Sequence, residues 1–314
     1  MPSQRMHSAR HTALVAAPPG VVYGLLADAP RWPVLLPSYV HVERVDLDAG
    51  GDSLRVWQLH RGQVRSVLAR RVLRPRERRI EFGLRDSLLP DAPTSGGWNV
   101  SPDGTDRCRV TLRQERPAGP GGTPGALEAQ VRAELAAVRE AAERWDRLDE
   151  LLLSFEDSVY VCGSPEIVYD FLYRVGDWAD LVPHVERAEV TEDRPGVQRT
   201  VLHTSDPSTG DTSVSEAVRL CFPAAGRIVH QATVTPAPLA AHYGEWYLEP
   251  DARGVRVVCA HQVMLREGAA TPALGAGALP ADVRRHVREQ LGRTSTEALA
   301  LARWHAESAL RRLR

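Results

Sequence analysis

The chain has 314 residues, a formal net charge of -1, four cysteines and 39 basic residues that are all arginine. The absence of lysine excludes Schiff-base and lysine-nucleophile chemistry, and near-zero net charge argues against a nucleic-acid footprint. No apolar run approaches the ~18 residues of a membrane span, the N-terminal MPSQRMHSARH lacks the apolar core of a secretory signal, and Cys108, Cys162, Cys221 and Cys259 stand too far apart for a zinc or disulfide framework, so a soluble cytoplasmic protein with reduced thiols is expected.

In chain order, residues 10–17 read as a first strand, Pro19 opens a short helix to about 28, and a second short helix runs through Trp32–Pro37. Alternating segments bounded by Gly, Pro and Asp then predict strands near 40–47, 52–60, 64–74, 77–86, 96–101 and 106–116. The Gly/Pro-rich stretch 117–125 can carry neither helix nor central strand, and the stripe Leu127, Val131, Leu135, Val138, Ala142, Trp145, Leu148, Leu152 predicts one long amphipathic helix.

The same order then recurs. An offset of 146 superimposes Pro19 on Pro165, Trp32 on Trp178, Leu35 on Leu181 and Pro37 on Pro183, and an offset of 148 superimposes Arg71 on Arg219 and Trp98 on Trp246. A period this long is a duplicated domain, not a solenoid unit. Counterpart strands are expected at 155–162, 185–193, 197–205, 212–222, 226–235, 242–249 and 254–265, a second Gly/Pro-rich stretch at 268–280, and a second long helix with Val283, Val287, Leu291, Ala298 and Leu301 on its stripe. In that helix the pair Arg144-Trp145 is matched to Arg303-Trp304. The expected architecture is α+β: two tandem units, residues 1–153 and 154–314, each a curved antiparallel seven-stranded sheet around a long C-terminal helix, with two short helices and a cavity between.

This order of elements, with R-W-P-x-L-x-P-x-Y at Arg31 to Tyr39, resembles the START-like helix-grip superfamily. Within it the chain is similar to the polyketide aromatase/cyclases of bacterial type II synthases, and its two-copy length to their di-domain subclass. The resemblance rests on Trp32, Pro33, Leu35, Tyr39, Arg71 and Trp98 and spans nearly the whole chain. It implies a cofactor-independent cyclase/dehydratase acting on a poly-β-ketone tethered to an acyl carrier protein, with other synthase subunits as further partners. It also implies first-ring closure between carbons 7 and 12, or aromatisation of a ring already closed. A non-catalytic carrier or sensor of an apolar molecule remains the alternative, because fold does not fix function.

Arg71 and Arg219 share a strand position, each with an alanine two residues earlier on the same face. An inward guanidinium would be a fixed cation for an enolate or carbonyl oxygen, never a general base. The rest of the run, Arg70, Arg74, Arg76, Arg78 and Arg79, reads as a solvated strand face and turn. Tyr39 matches the family's pocket tyrosine and is read either as exchanging a proton with a nascent alkoxide, or orienting it, or as a half-buried core tyrosine. The second copy has Val185 there, with His184 beside it as a possible replacement. Trp32, Trp98, Trp178 and Trp246 are read either as flat cavity walls or as core, and Trp57 and His203 as a matched pair inside the pocket. His242 and His261 have no metal-ligand spacing and are read as structural, with no metal or nucleotide cofactor expected. Arg71→Ala is expected to harm catalysis more than Arg219→Ala while leaving the melting temperature near wild type.

Overall fold

A computed structural model describes residues 6–312 except 49, 61, 87–92, 119–122, 206–209, 211, 269–274 and 276. Half of the two Gly/Pro-rich stretches, residues 119–122, 269–274 and 276, lies outside the described residues. The chain divides into two compact units, Met1–Leu148 and Asp149–Arg314.

In the first unit, strands β1 (Met6–Val15), β2 (Tyr39–Asp48), β3 (Gly51–His60), β4 (Gln63–Arg74), β5 (Arg79–Asp86), β6 (Thr94–Pro102) and β7 (Cys108–Pro117) form one antiparallel sheet of order β1-β7-β6-β5-β4-β3-β2. Helices α1 (Pro19–Ala27) and α2 (Trp32–Leu35) bridge β1 to β2, the two ends of the sheet. The sheet curves around α3 (Pro124–Ala142), whose Leu127, Val131, Leu135 and Val138 are buried in one core together with Leu54, Ile80, Val110 and Leu112 of the strands. Alternation sets the faces: on β4, Val67, Ala69 and Arg71 are buried while Leu68, Arg70, Val72 and Arg74 are exposed. The turn after β4 carries Arg78 in the left-handed region at φ 51°.

The second unit repeats this with β8 (Leu152–Val161), β9 (Val185–Arg194), β10 (Val197–Ser205), β11 (Thr212–Phe222), β12 (Arg227–Val234), β13 (Leu239–Pro250) and β14 (Val255–Leu265), in the order β8-β14-β13-β12-β11-β10-β9. Its short helices are α5 (Pro165–Tyr173) and α6 (Trp178–Leu181), and the gripped helix is α7 (Pro280–Arg312). In the sequence, the short helix α4 (Leu148–Leu151) spans the boundary of the two units.

Two helical expectations are corrected. The first long helix does not run to 152: it stops at Ala142, and Trp145, in the following 3-10 turn, is 40% exposed. Nor does Trp145 correspond to Trp304. Glu143 accepts from the backbone N–H of Ala16 (3.1 Å) and from Arg139 Nε (3.1 Å), while Glu307 accepts from the backbone N–H of Cys162 (3.3 Å) and from Arg303 Nε (3.0 Å). Since Ala16 and Cys162 are repeat equivalents, Arg139 and Glu143 correspond to Arg303 and Glu307, an offset of 164. In that register Glu134 corresponds to Ala298.

Candidate active site

The concave face of the first sheet carries a polar cluster between the sheet, α2 and α3. Tyr39, the first residue of β2, is buried and donates its phenol O–H to Glu134 of α3 at 3.2 Å. Gln114 of β7 donates to the other carboxylate oxygen of Glu134 at 2.7 Å. The Trp32 ring lies 4.8 Å from the Tyr39 ring, and Trp98 closes the floor from β6. Burial raises the Glu134 carboxyl above the ordinary glutamate range, against the opposing effect of its two donors. Burial and the neighbouring carboxylate push the Tyr39 phenol well above its usual range, so it stays protonated. A buried carboxyl hydrogen-bonded to a neutral phenol is equipped to pass a proton between them.

Arg71 points inward, but it is not a free cation. Nε and Nη2 donate to the two oxygens of Asp52 at 2.7 and 2.6 Å, Nη1 donates to the Leu26 carbonyl at 2.8 Å, and Nη2 to the Ala27 carbonyl at 2.9 Å. Four of the five N–H groups of a guanidinium are thereby occupied, and Asp52 is fully shielded from solvent. The bidentate pair neutralises the charge where an oxyanion would need it, and ties the end of α1 to β3 and β4. Arg71 also lies over the Trp32 ring at 5.3 Å. The expected free cation is thus an engaged one, which fixes the end of α1 and lies against the Trp32 ring of α2.

Arg219 makes the same anchor, donating to the Leu172 carbonyl at 2.6 Å and the Tyr173 carbonyl at 3.3 Å. Gln198 stands where Asp52 does and accepts from Nη1 at 2.6 Å. The nearest balancing carboxylate is Glu192, which accepts from both Gln198 and Tyr173.

The tryptophans behave as matched packing groups: Trp32 Nε1 donates to the Leu25 carbonyl (3.0 Å) and Trp178 Nε1 to the Phe171 carbonyl (3.2 Å). Trp178 meets Trp246 edge-on at 6.4 Å inside the second core. Trp57 and His203 are not pocket residues. On β3 the inward set is Asp52, Leu54 and Val56, and on β10 it is Gln198, Thr200 and Leu202, so alternation puts both residues on the opposite face, where Trp57 packs on His41 at 5.2 Å. His184 is buried and hydrogen-bonds Glu297 of α7 through Nδ1 at 2.7 Å, and Val185 beside it joins the apolar core.

The second concave face has its own polar group, which spacing along the chain did not suggest: His230 on β12, His242 on β13 and Cys259 and His261 on β14. His242 Nε2 lies 3.0 Å from His261 Nδ1, and His261 Nε2 lies 3.2 Å from Cys259 Sγ. The His230 ring meets the His242 ring edge-on at 5.1 Å. Among the described residues no three His, Cys, Asp or Glu side chains are placed to hold a metal ion. Elsewhere in this unit a cleft of about 820 Å³ lies between α5 and the turns at Gly196 and Pro223–Gly226, with Tyr169 and Cys221 on its wall. Burial pushes the Cys221 thiol up to about 11, which keeps it unreactive.

Comparison with known proteins adds the family. The sequence family described as "Polyketide cyclase / dehydrase and lipid transport" matches residues 6–143 and again 153–298. The chain is 31% identical to the granaticin polyketide synthase bifunctional cyclase/dehydratase of Streptomyces violaceoruber, over 99% of this chain and 97% of that protein. It is 33% identical to the actinorhodin polyketide synthase bifunctional cyclase/dehydratase of Streptomyces coelicolor, over 93% and 95%. Among solved structures it resembles the di-domain ARO/CYC StfQ of the steffimycin pathway (TM-score 0.86, 27% identity, 96% of this chain and 99% of that one). It also resembles the di-domain ARO/CYC BexL of the BE-7585A pathway (TM-score 0.84, 32% identity, 96% and 98%).

Proposed function

The chain belongs to the polyketide cyclase / dehydrase and lipid transport family, and from that membership we propose that it is a cyclase/dehydratase of aromatic polyketide biosynthesis. Its relatives are named for cyclase and dehydratase activity within polyketide synthases, and both halves of the chain match the family. The substrate in this reading is a poly-β-ketone held on an acyl carrier protein, closed at its first ring between carbons 7 and 12 and then dehydrated. Working partners are the other subunits of the synthase.

The observation that carries the reading is the Tyr39–Glu134 pair beside Trp32. Glu134 takes a proton from the methylene between two ketones, and the enolate carbon attacks a carbonyl carbon of the same chain. The electron pair of that C=O moves to oxygen, which takes the Tyr39 proton, and Glu134 returns its proton to Tyr39. The substrate thus gains a C–C bond and a hydroxyl with no net change in the enzyme. Trp32 and Trp98 supply flat walls that hold one fold of the chain, where positioning contributes as much as proton transfer. The Arg71–Asp52 pair holds α1 and the Trp32 wall in register.

Reconstituting the protein with a ketosynthase pair and a carrier protein tests this. The expected result is a correctly closed aromatic product with wild type and spontaneous shunt products with Tyr39→Phe. Identical product mixtures with and without the protein would overturn it.

A further inference from the structure

The two concave faces have exchanged their polar chemistry. Strand pairing places Phe82, Thr94, Leu112 and Gln114 of the first unit at the positions of His230, His242, Cys259 and His261 of the second. At the same time Tyr39 and Glu134 of the first unit become Val185 and Ala298. At these matched positions one concave face has the phenol and carboxyl, and the other has three histidines in their stead.

The histidines face the gripped side: Ile228, Trp246 and Cys259, which share their faces at two-residue steps, all belong to the second core. His230 and His242 are only half-buried there, whereas His261 is enclosed. The His230 ring sits on the bare backbone of Gly244, where an added Cβ would come within 2.0 Å of it.

The hydrogen-bond chain has a direction. Burial, with the Asp157 charge as a smaller effect, holds the Cys259 thiol well above its usual range, so it is an S–H. With that S–H as donor to His261 Nε2, His261 carries its proton on Nδ1 and donates it to His242 Nε2, the tautomer this inference uses. The remaining proton of His242 is therefore on Nδ1, at the half-buried end of the chain. His230 has no hydrogen bond among the described residues and offers a free ring nitrogen beside it. Two cations lie near the chain, and burial with His242 and Arg219 holds the His230 imidazole well below its usual range, so it stands neutral and able to accept a proton. Arg288, over the Phe155 ring that stacks on His261, is paired with Asp157 at 2.7 Å, and Arg219 is held by carbonyls and Gln198.

We propose that the second unit carries a separate acid–base centre, His230 with the His242–His261–Cys259 chain, which removes water from a β-hydroxy ketone. The inference rests on the cyclase/dehydratase reading and assigns its second activity to the second unit. His230 takes the proton on the carbon next to the ketone, and that C–H pair becomes the C=C bond. The C–O bond to the hydroxyl breaks, its electron pair takes the Nδ1 proton of His242, and water leaves. The proton on His230 then passes to His242 and restores both rings. No oxidant, metal or cofactor enters the balance.

The test uses the full chain and a synthetic, already closed β-hydroxy ketone, so that loss of water is scored independently of ring closure. His230→Phe, His242→Thr and His261→Gln install the first unit's own residues at these positions, singly and together. The expected result is a fall in dehydration of at least about 100-fold, the usual worth of one positioned proton-transfer group. Ring closure of the carrier-bound chain should persist and accumulate a product heavier by one water. Dehydration at the wild-type rate in the triple variant would overturn the inference while leaving the cyclase reading standing. Failure of wild type to close rings would instead sink that reading. Nitrogen-15 NMR of the unmodified protein gives a measurement that does not depend on variant folding: His242 in the Nδ1–H form is expected, and the Nε2–H form would overturn the assignment.

Discussion

Glu134 accepts the hydrogen bond of Tyr39 at 3.2 Å, and neither residue has a polar counterpart in the second unit, where Ala298 and Val185 fill the same positions in the core. The proton-handling pair is therefore a property of one copy, and its removal should affect one step only.

Glu134→Gln keeps the shape of the side chain but cannot take a proton. Ring closure should fall by about 100- to 10,000-fold, the range for a lost general acid or base, with near-native circular dichroism. Because burial raises the folded-state affinity of Glu134 for protons, its ionisation above the ordinary glutamate range works against folding. The wild type should lose stability relative to the Gln variant as pH rises through that raised value and match it in acid. Denaturant titrations of both proteins at several pH values read this directly.

Arg71→Ala should be a stability mutation first. It leaves the buried Asp52 carboxylate with only the partly exposed Arg44, Nε at 3.3 Å, as its cation; breaking a buried pair from one side typically costs about 3–5 kcal/mol, a cost that Arg44 reduces. This replaces the sequence-based expectation of an unchanged melting temperature. Arg219→Ala removes bonds to neutral groups only, so its cost should be smaller. Equal losses in urea titrations of the two variants would contradict the difference.

The second unit should be the acid-sensitive one. Burial, with the neighbouring histidine, lowers His242 to about 3, and burial with His230 and Arg288 lowers His261 to about 3. For a group whose folded value is depressed, the stability it contributes is present above its unfolded value, about 6.5, and is lost as pH falls towards 3. Melting curves between pH 7 and 4 should show a steep loss that His242→Thr/His261→Gln flattens.

One thiol should react in the native state. Cys162 is exposed while Cys108, Cys221 and Cys259 are buried, and burial raises each of those three. Ellman's reagent should titrate one thiol before unfolding and four after it.

Arg78→Gly should stabilise the first unit by up to about 1 kcal/mol. Arg78 holds φ 51°, and its repeat equivalent is Gly226 at φ 57°, the residue for which that region carries no steric cost. A lower midpoint in denaturant for the variant would refute this.

The sheets were legible because alternation and turn residues recur in every strand: the expected 197–205 and 212–222 coincide with β10 and β11. The gripped helices were legible in place but not in the end of the first or in their mutual register, because a chance Arg-Trp doublet outweighed the true correspondence. Glu134 left a trace that could have been used. It lies three residues after Val131 and four before Val138, so it falls on the apolar stripe, where a carboxylate needs a partner. Asp52 and Gln114 left no comparable trace, since their partners are 19 and 20 residues away on other elements. The grouping of the histidines was not seen because metal spacing was sought along the chain. Strand alternation applied across β12, β13 and β14 would have put all three on one face.

The arginine anchors grip backbone carbonyls, of Leu26 and Ala27 in one unit and of Leu172 and Tyr173 in the other. A carbonyl is supplied by any amino acid, so the attachment is indifferent to the side chains of the helix it holds. Each copy could therefore accumulate changes along that helix and across its cavity without coming loose. The duplicated scaffold had the mutational latitude to acquire a second chemistry while the first was kept.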